Sequence, residues 1–534
     1  MKANNQQVLK GALILSFAGL LSKILSALYR VPLQNLTSDF GYYAYQQIYP
    51  FIGMLMMLSL YGFPAAISKL TVENEIRQLN RKTFHKAIMF ILIGFSLLMS
   101  LSLFVLAPGI ANLVGDSNLR AGYQVLAFAF ILIPLLSFYR GYFQGQGDMR
   151  PTAYSQLFEQ LVRVIIIIIA AVLIAKQSMD VYEIAVWAAY GTIFGGVCGV
   201  FILLLFRKRE SLNPQIENNN IKVPWRYFIR TLMIFGVLAA LNHMILLLLQ
   251  FADMFTLVPG LMKYGYMSHD AMEMKGVFDR GQPLVQFGTV LGSSFALAII
   301  PELAKEAKSK QINKDVVLLI KDALTFSLYI SVGATVGLVV IFKEVNLLLF
   351  GDIAGTHSLQ IFMLVICLSS LAITSNAILQ SYDYIKHITW LIVAVFIFKI
   401  ILNLILVPRI GINGSAISSV LSLGLLCILS LLLLKRRITK ISLVKMINWR
   451  ALSYASVSMT LFLIISKYLL INSVIHSRLY LFSYIMVIVS FGGLIYLLCL
   501  LRFDALSKRQ LHTLPFAHSI IKLERIAKFK GGSS

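Results

Sequence analysis

Residues 126–175 read LAFAFILIPLLS, FYRGYFQGQGDMRPTAYSQLFEQLVR and VIIIIIAAVLIA, so a polar segment lies between two apolar runs. A helix needs about 20 apolar residues to cross a hydrocarbon core about 30 Å thick. Each run reaches that length with its flanks, which predicts two membrane helices joined by a short turn. Within the polar segment, Glu159 and Arg163 have the i,i+4 spacing of one helix face.

The same pattern recurs along the chain. Of 534 residues, 58% are hydrophobic and 13% are charged, and the mean hydropathy is +0.80. Soluble domains lack this balance, and a β-barrel would show shorter, alternating segments. We therefore predict an all-α polytopic membrane protein of about fourteen transmembrane helices. Their expected bounds are 9–31, 42–66, 84–107, 121–143, 155–176, 182–206, 227–251, 280–303, 317–342, 358–381, 386–407, 413–434, 450–472 and 478–501.

Motifs of enzymes, metal sites and ATP-driven pumps are missing from the sequence. The four cysteines lie singly inside apolar runs, which predicts neither disulfides nor a metal site. There is no P-loop, and the longest outer connection, 252–280, is short for a catalytic domain. We expect neither an enzyme nor a cofactor.

The distribution of charge predicts the topology. A net charge of +24 would suggest nucleic acid in a soluble protein, but membrane proteins collect basic residues in their cytoplasmic loops. With the N-terminus inside, the inner connections hold the basic clusters within 69–86, 207–230, 305–314 and 435–450. We expect both termini in the cytoplasm and no nucleic-acid partner. The basic amphipathic stretch 519–530 is predicted to lie on the anionic inner leaflet.

The two halves of the chain match each other at a fixed offset. Three polar pairs recur 236 residues apart, namely Gln144 and Gln380, Arg150 and Lys386, and Arg163 and Lys399. This predicts two pseudo-symmetric six-helix lobes, 1–222 and 223–440, then two C-terminal helices in 441–505 and a basic amphipathic cytoplasmic tail in 506–534. Transporters built from such repeats bind substrate between the lobes and rock them.

Charged and polar residues inside the predicted spans are candidates for function, because a central charge costs about 2.5–3.5 kcal/mol on insertion scales. They are Lys23 and Arg30 in the first span, Glu159 and Arg163 in the fifth, Arg280 at the start of the eighth, and Lys399 and Asn403 in the eleventh. Basic residues outnumber acidic ones, which favours a positive, wet cavity. Phosphate or pyrophosphate suits such a cavity through charge-assisted hydrogen bonds.

Structural alternatives stay open for several of these residues. Arg30 can snorkel to the outer interface, and Arg280 can anchor the outer edge of its helix. Glu159 and Arg163 can form a purely structural ion pair.

Two further groups of residues have a dual interpretation. The tyrosines at 42, 43, 45 and 49 are typical of an interfacial belt, although they could also stack on a sugar. Gln144 and Gln156, with Glu159 and Arg163, lie at the inner mouth of helices four and five. These residues could form the entrance for a substrate headgroup. Alternatively, they could belong to a rigid turn that orients the two helices.

Two stretches resemble a known family: RGYFQGQGDMRPTAYSQLFEQLVR at 140–163 and SKILSALYRVPLQNLTSDFGYYAYQQIYP at 22–50. They are similar to the polysaccharide-exporter branch of the MOP flippase superfamily, particularly the SpoVB/YtgP-like proteins of Gram-positive bacteria, which are relatives of the lipid II flippase MurJ. The resemblance covers essentially the whole chain. It implies two lobes around a cationic cavity, a lipid-tail groove formed by the last two helices, and a place in the bacterial plasma membrane.

The resemblance also implies individual site residues. Lys23 and Arg30 take the functional basic places of helix one, the latter with a one-residue shift. Asp39 takes the acidic place just after that helix, and Arg280 the arginine at the start of helix eight. Lys23 stands where MurJ proteins usually have arginine, and the basic pair of their second helix is missing here. These departures leave the exact substrate open.

We expect a flippase that moves an undecaprenyl-pyrophosphate-linked glycan, in particular lipid II, to the outer leaflet by alternating access. Lys23, Arg30 and Arg280 would neutralise the pyrophosphate, and Glu159 and Asp39 are candidate protonatable groups. The expected partners are the lipid-linked glycan, membrane lipids and cell-wall synthases, with the protein itself a monomer. The alternatives are a flippase for capsule or teichoic-acid units, a cation-coupled multidrug exporter, and a non-transporting cell-wall or division scaffold.

Overall fold

The computed structural model describes residues 18–19, 21–77, 80–208, 223–307, 314–438, 446–470, 477–506, 509–510 and 523–524. These residues form helices joined by short turns, and no strand occurs among them. The all-α prediction is confirmed. The predicted beginning of the first helix, and most of the amphipathic stretch 519–530, lie outside the described residues.

The helices follow one another with few long connections. In chain order they are α1 (Arg30–Met57), α2 (Phe63–Arg77), α3 (Arg81–Val114), α4 (Arg120–Ala129), α5 (Ile133–Gly145), α6 (Arg150–Ala175), α7 (Glu183–Lys208), α8 (Trp225–Ile229), α9 (Val237–His243), α10 (Ile245–Tyr264), α11 (Ser268–Asp279), α12 (Gly281–Ala307), α13 (Lys314–Phe350), α14 (Thr356–Met363), α15 (Val365–Ser381), α16 (Ile385–Ile410), α17 (Ile412–Arg437), α18 (Trp449–Leu470) and α19 (Arg478–Arg502). Residues 21–28 are helical as well, and π-helical segments at Leu58–Gly62 and Arg230–Gly236 join neighbouring helices.

Most of these helices can span a membrane. Twelve segments of the described chain are long and apolar enough, and one of them, Leu21–Asn74, covers the second predicted span and the end of the first. The predicted eighth span forms α12, which has 27 residues. Because about 20 residues suffice to cross the bilayer, the polytopic prediction is confirmed.

Local signals in the sequence set the ends of individual helices. The side chain of Asn80 accepts a hydrogen bond from the backbone N–H of Lys82 at 2.9 Å and so caps the start of α3. That helix ends at Val114 and is followed by Gly115, whose φ of 89° lies in the left-handed region. Pro151 stands in the first turn of α6, where its missing N–H costs nothing.

The expected seventh span and the loop after it differ from the prediction. The chain breaks at Met244 and then continues as α10 to Tyr264, followed by α11. The predicted end of the seventh span at residue 251 and the predicted outer loop 252–280 are therefore wrong, because Ile245–Tyr264 and Ser268–Asp279 are helices. The physical reason is Asp253, a charge that normally ends an apolar run. Here Lys399 neutralises it inside the helix bundle.

One compact unit contains Met1–Pro283 and Ile385–Ser415. Within it α6 packs along α7, α2 along α5, α10 along α16, and α11 along α1. Residues 223–283 and 385–415, which the repeat places in the second lobe, pack with this unit. The lobe assignment is a statement about topology and symmetry, and it stays a prediction.

The second unit contains Leu284–Tyr384 and Ala416–Ser534. In it α13 packs against α15, α18 and α19, and the last two helices pack against each other. Arg478 donates from Nε and Nη2 to the carbonyls of Leu348 and Leu349, at 2.8 and 2.9 Å. This arginine thereby satisfies carbonyls at the C-terminal end of α13. The lipid-tail groove formed by α18 and α19 stays a prediction.

Candidate functional site

Arg30, at the start of α1, is fully buried. None of its guanidinium nitrogens has a hydrogen-bond partner among the described residues. Its Cζ lies 4.1 Å from the centroid of the Tyr49 ring, and the group also interacts electrostatically with Tyr42 and Tyr45. Cation–π attraction stabilises the charge, but the five N–H donors of the guanidinium are left unused. A buried cation with unused donors is suited to receive an anion.

The tyrosines around Arg30 do not form an interfacial belt. Tyr42, Tyr43 and Tyr45 are fully buried, and the hydroxyl of Tyr45 contacts that of Tyr29. For these three residues the belt prediction is wrong, because α1 packs against α6, α7, α10 and α11 in the protein interior, whereas Tyr49 is half-buried. Snorkelling of Arg30 is excluded for the same reason.

Asp39 and Arg280 form a bidentate ion pair, although 241 residues separate them. Nε of Arg280 donates to Oδ1 of Asp39 at 2.6 Å, and Nη2 donates to Oδ2. Gln34 also donates to Oδ1, at 3.0 Å. Arg280 is fully buried, so its side chain is not an anchor at the outer edge. Asp39 follows a break in α1 at Ser38, where φ is 63° and ψ is −179°.

Close contact between α11 and α1 supports this pair. A Cβ on Gly276 would lie 2.0 Å from the carbonyl oxygen of Asp39, so only glycine fits at this position. In the adjacent position of α11, Lys275 Nζ lies 2.5 Å from Oδ2 of Asp279, and both residues are buried. The Asp39–Arg280 pair thus ties the turn between α11 and α12 to α1, while the Lys275–Asp279 pair lies within α11.

A second buried cluster joins α5 and α6. Glu159 Oε1 accepts from Arg163 at 2.7 Å, and Oε2 accepts from Arg140 at 2.7 Å. The pair predicted from the i,i+4 spacing therefore forms, but with a third member and a net charge of +1. The third member, Arg140, lies inside the predicted fourth span but was not among the predicted site residues.

Backbone packing positions this cluster. A Cβ on Gly195 of α7 would lie 2.6 Å from the carbonyl oxygen of Glu159, and Gly191 and Gly199 lie one turn to either side. Small residues at this spacing let membrane helices approach closely. A narrow cavity beside the cluster is lined by Met56, Leu60, Arg140, Gln156, Glu159 and Gln160. The Oε1 of Gln156 has no described partner, while Gln144 donates to Thr152 at 3.2 Å.

A third cluster joins α10, α16 and the start of α17. Lys399 Nζ lies 2.9 Å from Asp253 Oδ1, and both side chains are buried. Asn403 Nδ2 donates to the same oxygen at 2.8 Å, and the hydroxyl of Ser415 donates to it at 2.7 Å. The predicted shared face of Lys399 and Asn403 is therefore a buried polar surface. Asp253 was missed as a site residue because it was assigned to a loop.

Lys23 lies apart from these ion pairs and is exposed. It interacts electrostatically with His243, whose ring stacks on Tyr61 with centroids 4.3 Å apart. The buried Asp279 lies between the other clusters, near enough for its charge to be repelled by Asp253 and attracted by Arg30. The structure thus groups Arg30, Asp39 and Arg280 with α11, whereas it places Lys23 beside α9.

Outside these clusters, His269, Asp270 and Glu273 bring their potential ligand atoms within 4.8 Å of one another. All three are exposed on α11, where such groups are common without an ion. The expectation of no metal site stays a prediction.

Comparison with known proteins identifies the family. Residues 8–307 match the family model described as "Polysaccharide biosynthesis protein". The chain is 33% identical to an uncharacterized membrane protein, YabM, of Bacillus subtilis (strain 168), over 98% of both chains. It is 24% identical to the lipid II flippase MurJ of the same organism, over 78% of this chain and 80% of that protein.

Solved structures show the same fold. MurJ in an inward closed conformation matches with a TM-score of 0.66 and 14% identity, over 91% of this chain and 98% of that chain. An inward-facing multidrug resistance MATE transporter of the MOP superfamily matches with a TM-score of 0.57 and 14% identity, over 78% and 94%. The named activities are those of flippases and transporters, not of enzymes. The chain therefore belongs to the polysaccharide biosynthesis protein family, as a multi-pass membrane protein that is similar in sequence to MurJ.

Proposed function

We propose that this protein is a flippase for a lipid-linked glycan and that it binds the pyrophosphate of the headgroup at Arg30. In the bacterial plasma membrane it would move an undecaprenyl-pyrophosphate-linked glycan from the inner to the outer leaflet. Within this class, lipid II is the proposed substrate. The relatives support the class of substrate, and the site supports the anionic headgroup.

The observation that carries the proposal is the buried, unpartnered guanidinium of Arg30. Its tyrosine surroundings supply hydroxyl groups and aromatic faces but no direct carboxylate partner among the described residues. A cationic drug would need the opposite arrangement, a carboxylate without a cationic partner. The Asp253 and Glu159 carboxylates are both matched by basic groups. The unpartnered guanidinium of Arg30 favours the flippase, whereas the exporter would have to use Asp116, a buried carboxylate that accepts from the Tyr43 hydroxyl and has no cationic partner among the described residues.

Arg280 has a different part in the proposed mechanism. Its charge is matched by Asp39 in this structure, so it becomes available to a pyrophosphate only when that pair opens. Competition between the Asp39 carboxylate and the pyrophosphate for one arginine would couple substrate binding to movement of α11. No covalent step occurs.

The membrane potential favours the proposed direction of transport. Moving one elementary charge across 100 mV is worth about 2.3 kcal/mol. An anionic headgroup that leaves an inside-negative cell therefore moves downhill.

The proposal is tested by lipid binding to the purified protein in detergent. We expect undecaprenyl pyrophosphate to bind more tightly than uncharged undecaprenol. We also expect Arg30→Gln to weaken the pyrophosphate lipid about tenfold or more, because a charge-assisted hydrogen bond is worth about 1.5–3 kcal/mol. Binding of undecaprenol should stay unchanged.

Arg150→Gln is the matched control, because Arg150 is 62% exposed and pairs with Asp148 at the surface. Equal binding of the pyrophosphate lipid by wild type and Arg30→Gln would overturn the proposal. Comparing lipid II with undecaprenyl-pyrophosphate lipids that bear capsule or teichoic-acid sugars then decides the glycan, since only the sugar contacts differ.

A further inference from the structure

Oxygen atoms enclose the ammonium of Lys399. Its Nζ lies 2.9 Å from Asp253 Oδ1, 2.9 Å from the backbone carbonyl oxygen of Ser415 and 3.1 Å from the Ser415 hydroxyl. Lys399 is fully buried and Asp253 nearly so. The ammonium has three donors, and these three oxygens come from two different helices.

Further hydrogen bonds connect the helices around the ammonium. Asn403 Nδ2 donates to Asp253 Oδ1 at 2.8 Å and to Thr256 Oγ1 at 2.8 Å, which joins α16 to α10 at a second point. Thr256 in turn donates to the carbonyl of Ala252 at 2.6 Å. The Oδ2 atom of Asp253 is buried and has no described partner.

A carboxylate, a backbone carbonyl and a hydroxyl are also the ligands that hard metal cations prefer. In transporters, such oxygens at helix ends hold exchangeable sodium ions or protons. In this protein a charged side chain already occupies the centre of the group. The contacts of 2.9–3.1 Å are the hydrogen bonds of an ammonium ion.

We propose that Lys399 is a tethered cation that keeps this oxygen cage filled, so that α10, α16 and the start of α17 are held together without a monovalent metal ion. It follows that no exchangeable sodium ion drives transport from this position. It also follows that removing the ammonium while keeping the oxygens creates a sodium site. The inference concerns the ion and not the lipid, so it stands or falls independently of headgroup binding.

The test is the melting temperature of the purified protein in sodium chloride and in N-methyl-D-glucamine chloride at equal ionic strength. We expect the wild type to melt at the same temperature in both salts. We expect Lys399→Ser to melt below the wild type in the organic salt and to recover with sodium, by about 2 °C or more and with saturation. The double variant Asp253→Asn, Lys399→Ser should lose the sodium response.

Lys467→Ser is the matched control. Lys467 pairs with Glu344 at 3.1 Å, but 23% of its side chain is exposed. It should lower the melting temperature equally in both salts. A Lys399→Ser protein that ignores sodium, or whose double variant still responds to it, would overturn the proposal.

A second measurement does not depend on the folding of Lys399→Ser. The wild type should bind no radioactive sodium at this site. Saturable binding to the wild type that Asp253→Asn abolishes would mean that an exchangeable ion enters the cage, and it would also overturn the proposal.

Discussion

At the scale of single residues, the buried charges fall into two groups. Arg140, Arg163, Lys399 and Arg280 each contact a carboxylate within hydrogen-bonding distance. Arg30 is equally buried, but its nitrogens have no such partner among the described residues. A paired charge holds the fold together, whereas an unpaired one lowers stability until a ligand arrives.

The first prediction follows from this contrast. Replacing Arg30 with glutamine should leave the melting temperature unchanged or raise it, because the variant no longer buries an unpartnered charge. The same substitution should weaken pyrophosphate binding, so stability and function move in opposite directions. Thermal melting of the lipid-free protein checks this. A drop of several degrees would mean that Arg30 is a structural residue.

The second prediction concerns Glu159. Its replacement by glutamine leaves Arg140 and Arg163 as two adjacent buried cations without an anion. Breaking a buried pair in this way costs about 3–5 kcal/mol. We expect a large drop in melting temperature and in the yield of folded protein.

Asp148→Asn is the control for that experiment. It removes a carboxylate from the pair with Arg150, whose side chains are 31% and 62% exposed. An exposed pair contributes about 0–1 kcal/mol, so this variant should melt close to the wild type. If Glu159→Gln melted at the same temperature as Asp148→Asn, the buried cluster of Arg140, Glu159 and Arg163 would not contribute to stability.

The residue-scale contacts differ in how far sequence could predict them. The Glu159–Arg163 pair was predictable, because helical spacing alone brings i,i+4 residues together. The Asp39–Arg280 pair joins residues 241 positions apart, so spacing cannot reveal it. The family motifs pointed to both residues, but not to their contact. Asp253 was missed because its partner Lys399 lies in a distant span.

At the scale of helices, the central observation is how closely α11 approaches α1. Gly276→Ala places a Cβ 2.0 Å from the Asp39 carbonyl oxygen. The two helices must separate to accept it, which disturbs the Asp39–Arg280 pair. We predict a lower melting temperature and weaker binding of the pyrophosphate lipid.

Gly94→Ala is the matched control on α3, since a Cβ there meets no atom within 4 Å. Alanine is favoured over glycine in a helix by about 1 kcal/mol, so this variant should be neutral or slightly more stable. If Gly276→Ala melted at the same temperature as the wild type, α11 would be able to move away from α1 without a loss of stability, which would contradict the prediction.

The apolar runs predicted well which segments are helical. They predicted helix ends poorly where a charged residue inside a helix is neutralised by a side chain from another helix. Each predicted span was a run of apolar residues, and each coincides with helix in the described chain. The seventh was misplaced because Asp253 resembles the end of a run. The repeat had matched Arg163 with Lys399, and both form buried pairs with a carboxylate.

At the scale of the whole molecule, composition predicts the class of protein, and similarity to known proteins identifies its family. Hydropathy and basic loops predict a multi-pass membrane protein, because the bilayer core leaves few other solutions for an apolar chain. The identity of the sugar is not encoded in such bulk properties. It depends on contacts between polar side chains and the sugar, which hydropathy and net charge do not determine.

The most direct test of the central claim is the accessibility of lipid II at the outer leaflet of cells depleted of their native flippases. Wild type, Arg30→Gln and Arg150→Gln would be compared at matched expression. We predict that wild type and Arg150→Gln restore outer-leaflet lipid II and that Arg30→Gln does not. Full restoration by Arg30→Gln would contradict the assignment of Arg30, and no restoration by wild type would contradict lipid II as the substrate.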